Sequence, residues 1–307
     1  MANFAYFRGE FVPLAEAKLG IMNHALNYGT GVFEGIRAYW NGADEQMYLF
    51  RMREHYERLE KSCRILTMKL PHSIPELCDI TVELLRRNGP REDIYVRPLV
   101  YKDSELVGVR LHGLPDGFFI YTAPFGKYLP PDRGIRCCVS SWRRIDDNAI
   151  PARAKVTGLY VNSALIKSEA MLDGYDEAIT LTQDGHVCEG SAENIFLVFG
   201  EKLVTPPVTE NILVGITRNT VMQLAREELG IEVVERKVDR TELYAADEII
   251  LTGTAAEVTP VGEVDRRPIG DGKVGPVATK LQDLYSKAVR GQLDKYRDWV
   301  TPVYPKS

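Results

Sequence analysis

Apolar residues recur along this chain with two periods, and the switches between them mark its elements. Short apolar runs bounded by turn residues predict strands at Phe4 to Phe7 and Phe11 to Leu14, joined through Arg8-Gly9-Glu10 as a hairpin. Further strands are predicted at Ile36 to Trp40 and Met47 to Phe50 about an Asn41-Gly42 turn, and at Ile94 to Tyr101 and Phe118 to Ala123. Helical spacing appears in Arg51 to Leu66 and in Ile74 to Arg87, the second stopped by Asn88-Gly89. Later in the chain, Ile135 to Ser141, Glu177 to Thr182, His186 to Glu189, Ile195 to Phe199, Leu203 to Thr205, Ile231 to Val238 and Glu248 to Thr252 read as strands. Between them fall a helix from about Thr217 to Leu229 closed by Gly230 and a short helix opened by the Asp239/Glu242 capping box; Pro276 to Gln292 reads as a terminal helix. Strands outnumber helices and come in groups, so the fold class is α+β, and no internal repeat is visible.

One helix follows Ile150-Pro-Ala-Arg-Ala-Lys155-Val-Thr-Gly-Leu-Tyr160. Val161, Ala164, Leu165, Ser168, Met171 and Leu172 recur on one side and predict a single buried stripe, ended by Asp173-Gly174. Lys155 stands among small and apolar residues at the entrance to this helix. An ammonium group that loses solvent favours its neutral form, which is a nucleophile or base; the structural alternative is a lysine whose stem packs while its head reaches water. The glycine- and proline-rich residues 125–134 suggest a linker between a small N-terminal domain, 1–124, and a larger one, 135–307, that carries Lys155. The loop from Lys102 to Gly117 is longer than a connector requires.

Composition narrows the partners. The 307 residues have a net charge of −5 with both signs interspersed, which gives no footprint for nucleic acid and favours a small-molecule partner. No segment approaches ~20 uninterrupted apolar residues and the N-terminus has no signal-peptide pattern, so a soluble, unexported protein is expected. Five cysteines without a C-x-x-C pair suggest reduced thiols and a cytoplasmic location. Cys137 and Cys138, adjacent in a strand, would face opposite sides of it. The five histidines have no metal-ligand spacing, so no metal site is expected.

Two stretches could hold a phosphate. Gly215-Ile-Thr-Arg218 opens a helix whose N–H groups would face an anion, and Gly253-Thr-Ala-Ala256 follows a strand with residues small enough for close approach. Either could be a plain turn. Glu189, in Cys188-Glu-Gly-Ser-Ala-Glu-Asn194, could be bound to a turn or could face a basic ring nitrogen. A lysine, a carboxylate and two phosphate cradles together suggest pyridoxal phosphate.

These residues also carry a family resemblance. His24-Ala-Leu-Asn-Tyr-Gly-Thr-Gly-Val-Phe-Glu-Gly-Ile-Arg37, Arg53-Glu-His-Tyr-Glu-Arg58-Leu, Tyr95-Val-Arg97-Pro, Ala154-Lys155, Glu189-Gly-Ser-Ala-Glu-Asn194, Gly215-Ile-Thr-Arg218 and Leu251-Thr-Gly-Thr-Ala-Ala-Glu257 occur in order over nearly the whole length. The chain resembles a branched-chain amino-acid aminotransferase of the class IV (fold type IV) pyridoxal-phosphate family. The resemblance implies a two-domain architecture like that of D-amino-acid aminotransferase. It also implies ping-pong transfer of an amino group between leucine, isoleucine or valine and 2-oxoglutarate. By it, Lys155 forms the Schiff base, Glu189 pairs with the pyridine nitrogen and Tyr160 meets the phenolic oxygen. Arg58, Ile216, Thr217 and Thr254 hold the phosphate, and Leu213 packs on the ring.

For the substrate, the resemblance implies that Tyr95 and the N–H groups of Thr254 and Ala255 take the α-carboxylate while Arg97 takes the distal carboxylate of glutamate. Phe33, Tyr128 and Phe125 line the apolar pocket. Tyr28 and the loop around Val107 to Val109 come from a second subunit of a homodimer or higher homo-oligomer. Leu159, where many relatives have asparagine, and Phe125, where some have tryptophan, depart from the commoner pattern and bear on pocket volume. The alternatives are a D-amino-acid or (R)-amine aminotransferase, aminodeoxychorismate lyase, and a noncatalytic pyridoxal-phosphate carrier. The last would not need Tyr95, Arg97 or the apolar pocket.

Overall fold

The predicted N-terminal hairpin is the edge of a larger sheet. In the computed structural model, which describes residues 3–126 and 134–305, Phe4–Phe7 pairs antiparallel with Glu10–Pro13 and, on its other side, with Asp116–Pro124. From there the sheet continues through Ile94–Lys102, Ile36–Asn41, Gln46–Phe50 and Val300–Pro302, and Gly31–Phe33 adds a further short pairing to Ile94–Lys102. Helices Met52–Ile65 and Ile74–Asn88 pack with each other; the second starts at a Ser73/Glu76 capping box and stops at Gly89, whose φ of 58° favours glycine.

By backbone contacts this unit comprises Met1–Gly126, Ala154–Gly158 and Lys287–Ser307. A single division at the linker, with Lys155 and the whole C-terminus in the second domain, does not describe these contacts. The difference lies in non-local pairing. Val156 bridges to Val32, and Val300–Pro302 pairs with Gln46–Phe50, so both late segments join the first sheet. Most of the linker, including Tyr128, lies outside the described residues.

The second unit, Lys127–Arg153 and Leu159–Ser286, is built on a nine-stranded mixed sheet. Its order is Val187–Gly190, Glu177–Leu181, Ile135–Arg143, Glu257–Val264, Glu248–Gly253, Asn194–Phe199, Lys202–Thr205 and Glu232–Glu235, with Arg267–Pro268 on Glu257–Val264. Ile135–Arg143 runs parallel to both neighbours. One face buries Ile135, Cys137, Ile179, Leu197, Leu251 and Val261 among others. Cys138 belongs to a separate cluster with Ile166, Ala170 and Ala178, so the two adjacent cysteines do face opposite sides. The short helix Arg240–Tyr244 has the predicted Asp239/Glu242 capping box, and Ile216–Leu229 ends at Gly230 with φ 64°. Sequence pattern alone did not reveal Gly31–Phe33, Glu257–Val264 or Val300–Pro302, whose residues read equally well as loop.

The stripe assigned to helix Tyr160–Leu172 is on the wrong side. Asn162, Ser163, Ile166 and Ala170 are its buried residues, whereas Val161 is 66% exposed, Met171 63% and Leu172 88%. The helix lies on Ile135–Arg143 and Glu177–Leu181, where Ile166 and Ala170 pack with Cys138 and Ala178, and Val161, Met171 and Leu172 are left outside. Among the described residues no helix is long and apolar enough to cross a membrane.

The second unit also encloses a carboxyl group that no cation pairs with among the described residues. Glu193 is buried, and its Oε2 accepts the Ala192 N–H at 3.0 Å. Burial, then repulsion from Glu177, pushes its pKa up to about 8. The unfolded chain releases this proton near ~4.3, so the folded state binds more protons from there to the raised value. The contribution to stability is complete below that range and lost as pH rises through it. Glu193→Gln keeps an oxygen for the Ala192 N–H and removes the titration. Thermal melts at about pH 5 and about pH 9 should show the variant gaining on the unmodified protein at the higher pH; a difference that does not change with pH would contradict this.

Candidate active site

The first unit's share of the site is organised by glycines. Gly29 ends the short helix His24–Tyr28 with φ 66°, and a Cβ on it would lie 2.7 Å from the Gly158 Cα. That approach lets 154–158 run beside Gly31–Phe33. Phe33 N–H donates to the Lys155 carbonyl at 3.0 Å, Gly158 N–H to the Gly29 carbonyl at 3.1 Å, and the Thr157 hydroxyl to the same Gly29 carbonyl at 2.8 Å. The Lys155 N–H reaches the Ser62 hydroxyl at 3.3 Å.

The lysine side chain lies with its Nζ 5.1 Å from the centre of the Phe33 ring. The Arg97 guanidinium lies 4.3 Å from the same ring and donates from Nη2 to the Tyr95 hydroxyl at 2.9 Å. Tyr95 and Arg97 are two apart on Ile94–Lys102 and so share its less buried face. Phe125 closes the row, its ring 5.2 Å from that of Tyr95. Gly35 makes room, since a Cβ there would be 2.3 Å from the Tyr95 hydroxyl. The structure therefore brings together Lys155, Phe33, Tyr95, Arg97 and Phe125. No carboxylate pairs with Arg97 among the described residues.

Helix Met52–Ile65 offers His55, Arg58 and Ser62 on one side, at i, i+3 and i+7. Arg58 grips the fully buried Glu34 at both oxygens, Nε to Oε1 and Nη2 to Oε2 at 2.7 Å each, and His55 Nδ1 meets Glu34 Oε2 at 2.6 Å. Burial alone would raise the Glu34 pKa. The Arg58 charge and the bonds from Arg58 and His55 outweigh it, so the carboxyl is held well below its ordinary value. Burial pushes His55 down, which favours neutral imidazole. Arg58 is therefore a fixed, partly buried guanidinium rather than a solvated one, and Glu34 and His55 are site residues that the sequence reading passed over.

The second unit's share gathers at one end of its sheet, where Val187–Gly190 ends, Asn194–Phe199 begins and Glu248–Gly253 ends. Glu189 is buried, and its carboxylate accepts from Arg144, Asn194 and Leu213. Arg144 Nη2 reaches Oε1 at 2.8 Å; Asn194 Nδ2 and the Leu213 N–H reach Oε2 at 3.0 and 3.1 Å. Asn194 also donates to the Leu213 carbonyl at 2.9 Å, and a Cβ on Gly215 would lie 2.0 Å from Asn194 Oδ1. Gly215 opens Ile216–Leu229, whose first turn has no side-chain cap and includes the buried Ile216 and Thr217. Thr254 and Ala255 form the turn after Glu248–Gly253, and Tyr160 is the half-buried first residue of its helix. Arg144 and Asn194 were missed as partners of Glu189. Asn194 at least lies inside the motif; Arg144 carries no local signal.

Tyr28 and Val109 are held by other contacts. The Gly108 N–H donates to the Tyr28 hydroxyl at 3.2 Å, and His24 Nε2 meets the Gly108 carbonyl at 2.7 Å. Val109 is 78% exposed, beside exposed Val107, and Ile21, Met22 and Leu26 are exposed on and before the same short helix as Tyr28.

Comparison with known proteins agrees with this geometry. The family described as amino-transferase class IV matches residues 31–264. The chain is 53% identical over 305 residues to a probable branched-chain-amino-acid aminotransferase of Aquifex aeolicus (strain VF5), covering 99% of this chain and 98% of that one. Among solved structures it is similar to the branched-chain aminotransferase of Thermoproteus uzoniensis with norvaline, at 45% identity and TM-score 0.95, covering 99% and 100% of the two chains. It is also similar to the branched-chain amino acid aminotransferase of Thermobaculum terrenum in its PLP-form, at 40% identity and TM-score 0.94, covering 99% of both. A matched family over most of the chain, full-length relatives and the donor sets above lead to one conclusion: the chain belongs to the class IV aminotransferases.

Proposed function

We propose that this protein is a pyridoxal-phosphate-dependent transaminase that moves the amino group between branched-chain L-amino acids and 2-oxoglutarate in two alternating half-reactions. The observation that carries the substrate reading is that Lys155 and Arg97 share one ring, Phe33, with Tyr95 and Phe125 alongside. An amine for the chemistry, apolar faces for an aliphatic chain and a guanidinium for a second carboxylate stand in one row.

The donor set fits the cofactor. A carboxylate surrounded by donors suits a ring N–H, and an uncapped helix start with buried Ile216 and Thr217 suits a phosphate. Bound pyridoxal phosphate supplies a carbonyl carbon that receives the amino group and a ring that spreads the electron pair left on Cα.

Lys155 would hold the cofactor through Nζ, and the same amine would take the Cα proton of the substrate. Glu189 keeps a proton on the ring nitrogen. Tyr160 donates to the phenolic oxygen, and Leu213 packs against the ring. The Ile216 N–H, the Thr217 and Thr254 hydroxyls and the Arg58 guanidinium would hold the phosphate. Tyr95, with the Thr254 and Ala255 N–H groups, positions the α-carboxylate, so that the Cα–H bond is presented to Lys155. Phe33, Phe125 and, from outside the described residues, Tyr128 receive the aliphatic chain.

The exposed apolar residues support a homodimer as the active unit. Ile21, Leu26, Tyr28, Val107 and Val109 form one such group and Val161, Met171 and Leu172 another. Apolar surface on this scale marks an interaction site. In this reading Tyr28 and Val109 serve the neighbouring copy's substrate pocket. Five free cysteines, four of them buried, fit a reducing cytoplasm.

Lys155→Ala should fold and show no turnover in a coupled assay with L-leucine and 2-oxoglutarate; normal turnover would remove the central claim. Arg97→Met should lower kcat/KM for glutamate by roughly tenfold to a hundredfold, the value of a charge-assisted bond, and change that for leucine much less. Equal losses for the two substrates would contradict the assignment. Mixed with L-leucine alone, the purified protein should convert its cofactor's absorption band to that of the amine form. Conversion chiefly with D-alanine would point instead to a D-amino-acid aminotransferase.

A further inference from the structure

Glu189 is buried, and a buried arginine from a distant part of the chain, Arg144, pairs with it. The side chains of both are about 5% exposed or less, and Arg144 Nη2 lies 2.8 Å from Glu189 Oε1. Arg144 is itself held at both ends. Its N–H donates to the Leu181 carbonyl at 2.9 Å, its carbonyl accepts from Gln183 Nε2 at 3.2 Å, and its Nε reaches the Asn211 carbonyl at 3.4 Å. Asn211, in a left-handed conformation at φ 57°, is fixed in turn by Asp146 and the Asp147 N–H. A guanidinium placed this way cannot turn to another partner without breaking the loop that also supplies the Leu213 N–H.

The surrounding charges isolate this pair. Glu177 is paired with Lys167 at 2.7 Å and Glu210 with Lys237 at 3.3 Å. Glu193, whose proton burial and the charges of Glu177 and Glu189 help to hold, adds no charge beside the pair at neutral pH. The neighbouring carboxylates Glu177 and Glu210 have lysines of their own, and Arg144 pairs with Glu189. A neutral carboxylic acid there would set an O–H against a donor or leave a buried guanidinium uncompensated.

Resting on the cofactor reading above, we propose that Arg144 is a positioning residue for the reaction: it keeps Glu189 ionised and aimed, and through Glu189 keeps the proton on the cofactor's ring nitrogen. Arg144 touches neither substrate nor cofactor in this role. Its loss would act on the electronic state of the ring rather than on substrate affinity.

The test uses holoprotein loaded with pyridoxal phosphate labelled with nitrogen-15 in the ring, and nitrogen NMR as the readout. The unmodified protein should give the shift of a protonated pyridine. Arg144→Met and Arg144→Gln should bind the cofactor and move the signal to that of a neutral ring, with kcat falling more than KM rises, and Arg144→Lys should restore the protonated signal. A protonated ring in the Met and Gln variants would overturn the inference while leaving the transaminase reading intact. Failure of the unmodified protein to bind pyridoxal phosphate would overturn both. Should neither neutral variant fold, the carbon-13 shift of the Glu189 carboxyl in the unmodified holoprotein decides: an ionised carboxylate is expected, and a protonated one overturns the proposal.

Discussion

Lys155 is where it is because Gly29 and Gly158 can nearly touch. Any side chain at Gly29 would meet the Gly158 backbone, and the residue's positive φ already favours glycine. With both glycines in place, 154–158 is bonded to Gly29 and Phe33 and bridged to Val32, so the lysine's main chain is fixed by backbone rather than by its own packing. The side chain then has one apolar surface beside it, the Phe33 ring, which Arg97 also uses. In the proposed function a group that must leave the cofactor and then act as a base gains from this arrangement, because its main chain is anchored while its amine lies beside an aromatic ring.

Buried charge is managed on the same plan in each unit. Glu34 is enclosed with Arg58 and neutral His55, and Glu189 with Arg144 and two neutral donors. Pairs of this kind are weak evidence for stability, since desolvating both partners costs about as much as their attraction returns. What they do supply is direction. An arginine bonded to a fixed carboxylate through Nε and Nη2 cannot swing, so its remaining edge has a set orientation. A carboxylate ringed by donors is kept as an acceptor. Glu193 differs because burial and repulsion from Glu177 outweigh the Ala192 N–H and the charge of Lys167, so it keeps its proton instead.

The elements with a strong local period were legible from sequence: both N-terminal helices, Ile216–Leu229, and the strands that flank them fall within a few residues of their predicted limits. Most of the candidate residues were singled out for a different reason, since they sit inside short motifs that occur in order along the chain. What could not be read was anything set by partners distant in sequence. Val156 and Val300 join the first sheet through pairings that no local pattern encodes. Arg144 finds Glu189 from just beyond the end of another strand, Ile135–Arg143, and nothing around Arg144 signals it. The misplaced stripe on Tyr160–Leu172 has a simpler cause. Periodicity identifies an apolar face but not what covers it, and here the small-residue face packs on the sheet while the larger apolar one stays exposed.

In the proposed function a pocket that accepts both an aliphatic chain and a carboxylate has to keep its cation from spoiling the apolar surface, and the placement of Arg97 suits that reading. Its guanidinium lies over the Phe33 and Tyr95 rings and donates to the Tyr95 hydroxyl. The ring contact is worth about 0.5–2 kcal/mol, depending on how dry it is. A hydrogen bond from the same guanidinium to a carboxylate contributes about 1.5–3 kcal/mol, so glutamate can draw the cation off the ring. An aliphatic side chain offers no such gain and meets the ring system with the guanidinium still lying flat against it. The small difference between those two values is enough for one site to serve two substrates of opposite polarity. A carboxylate partner for Arg97 within the protein would remove that difference, and none is present among the described residues.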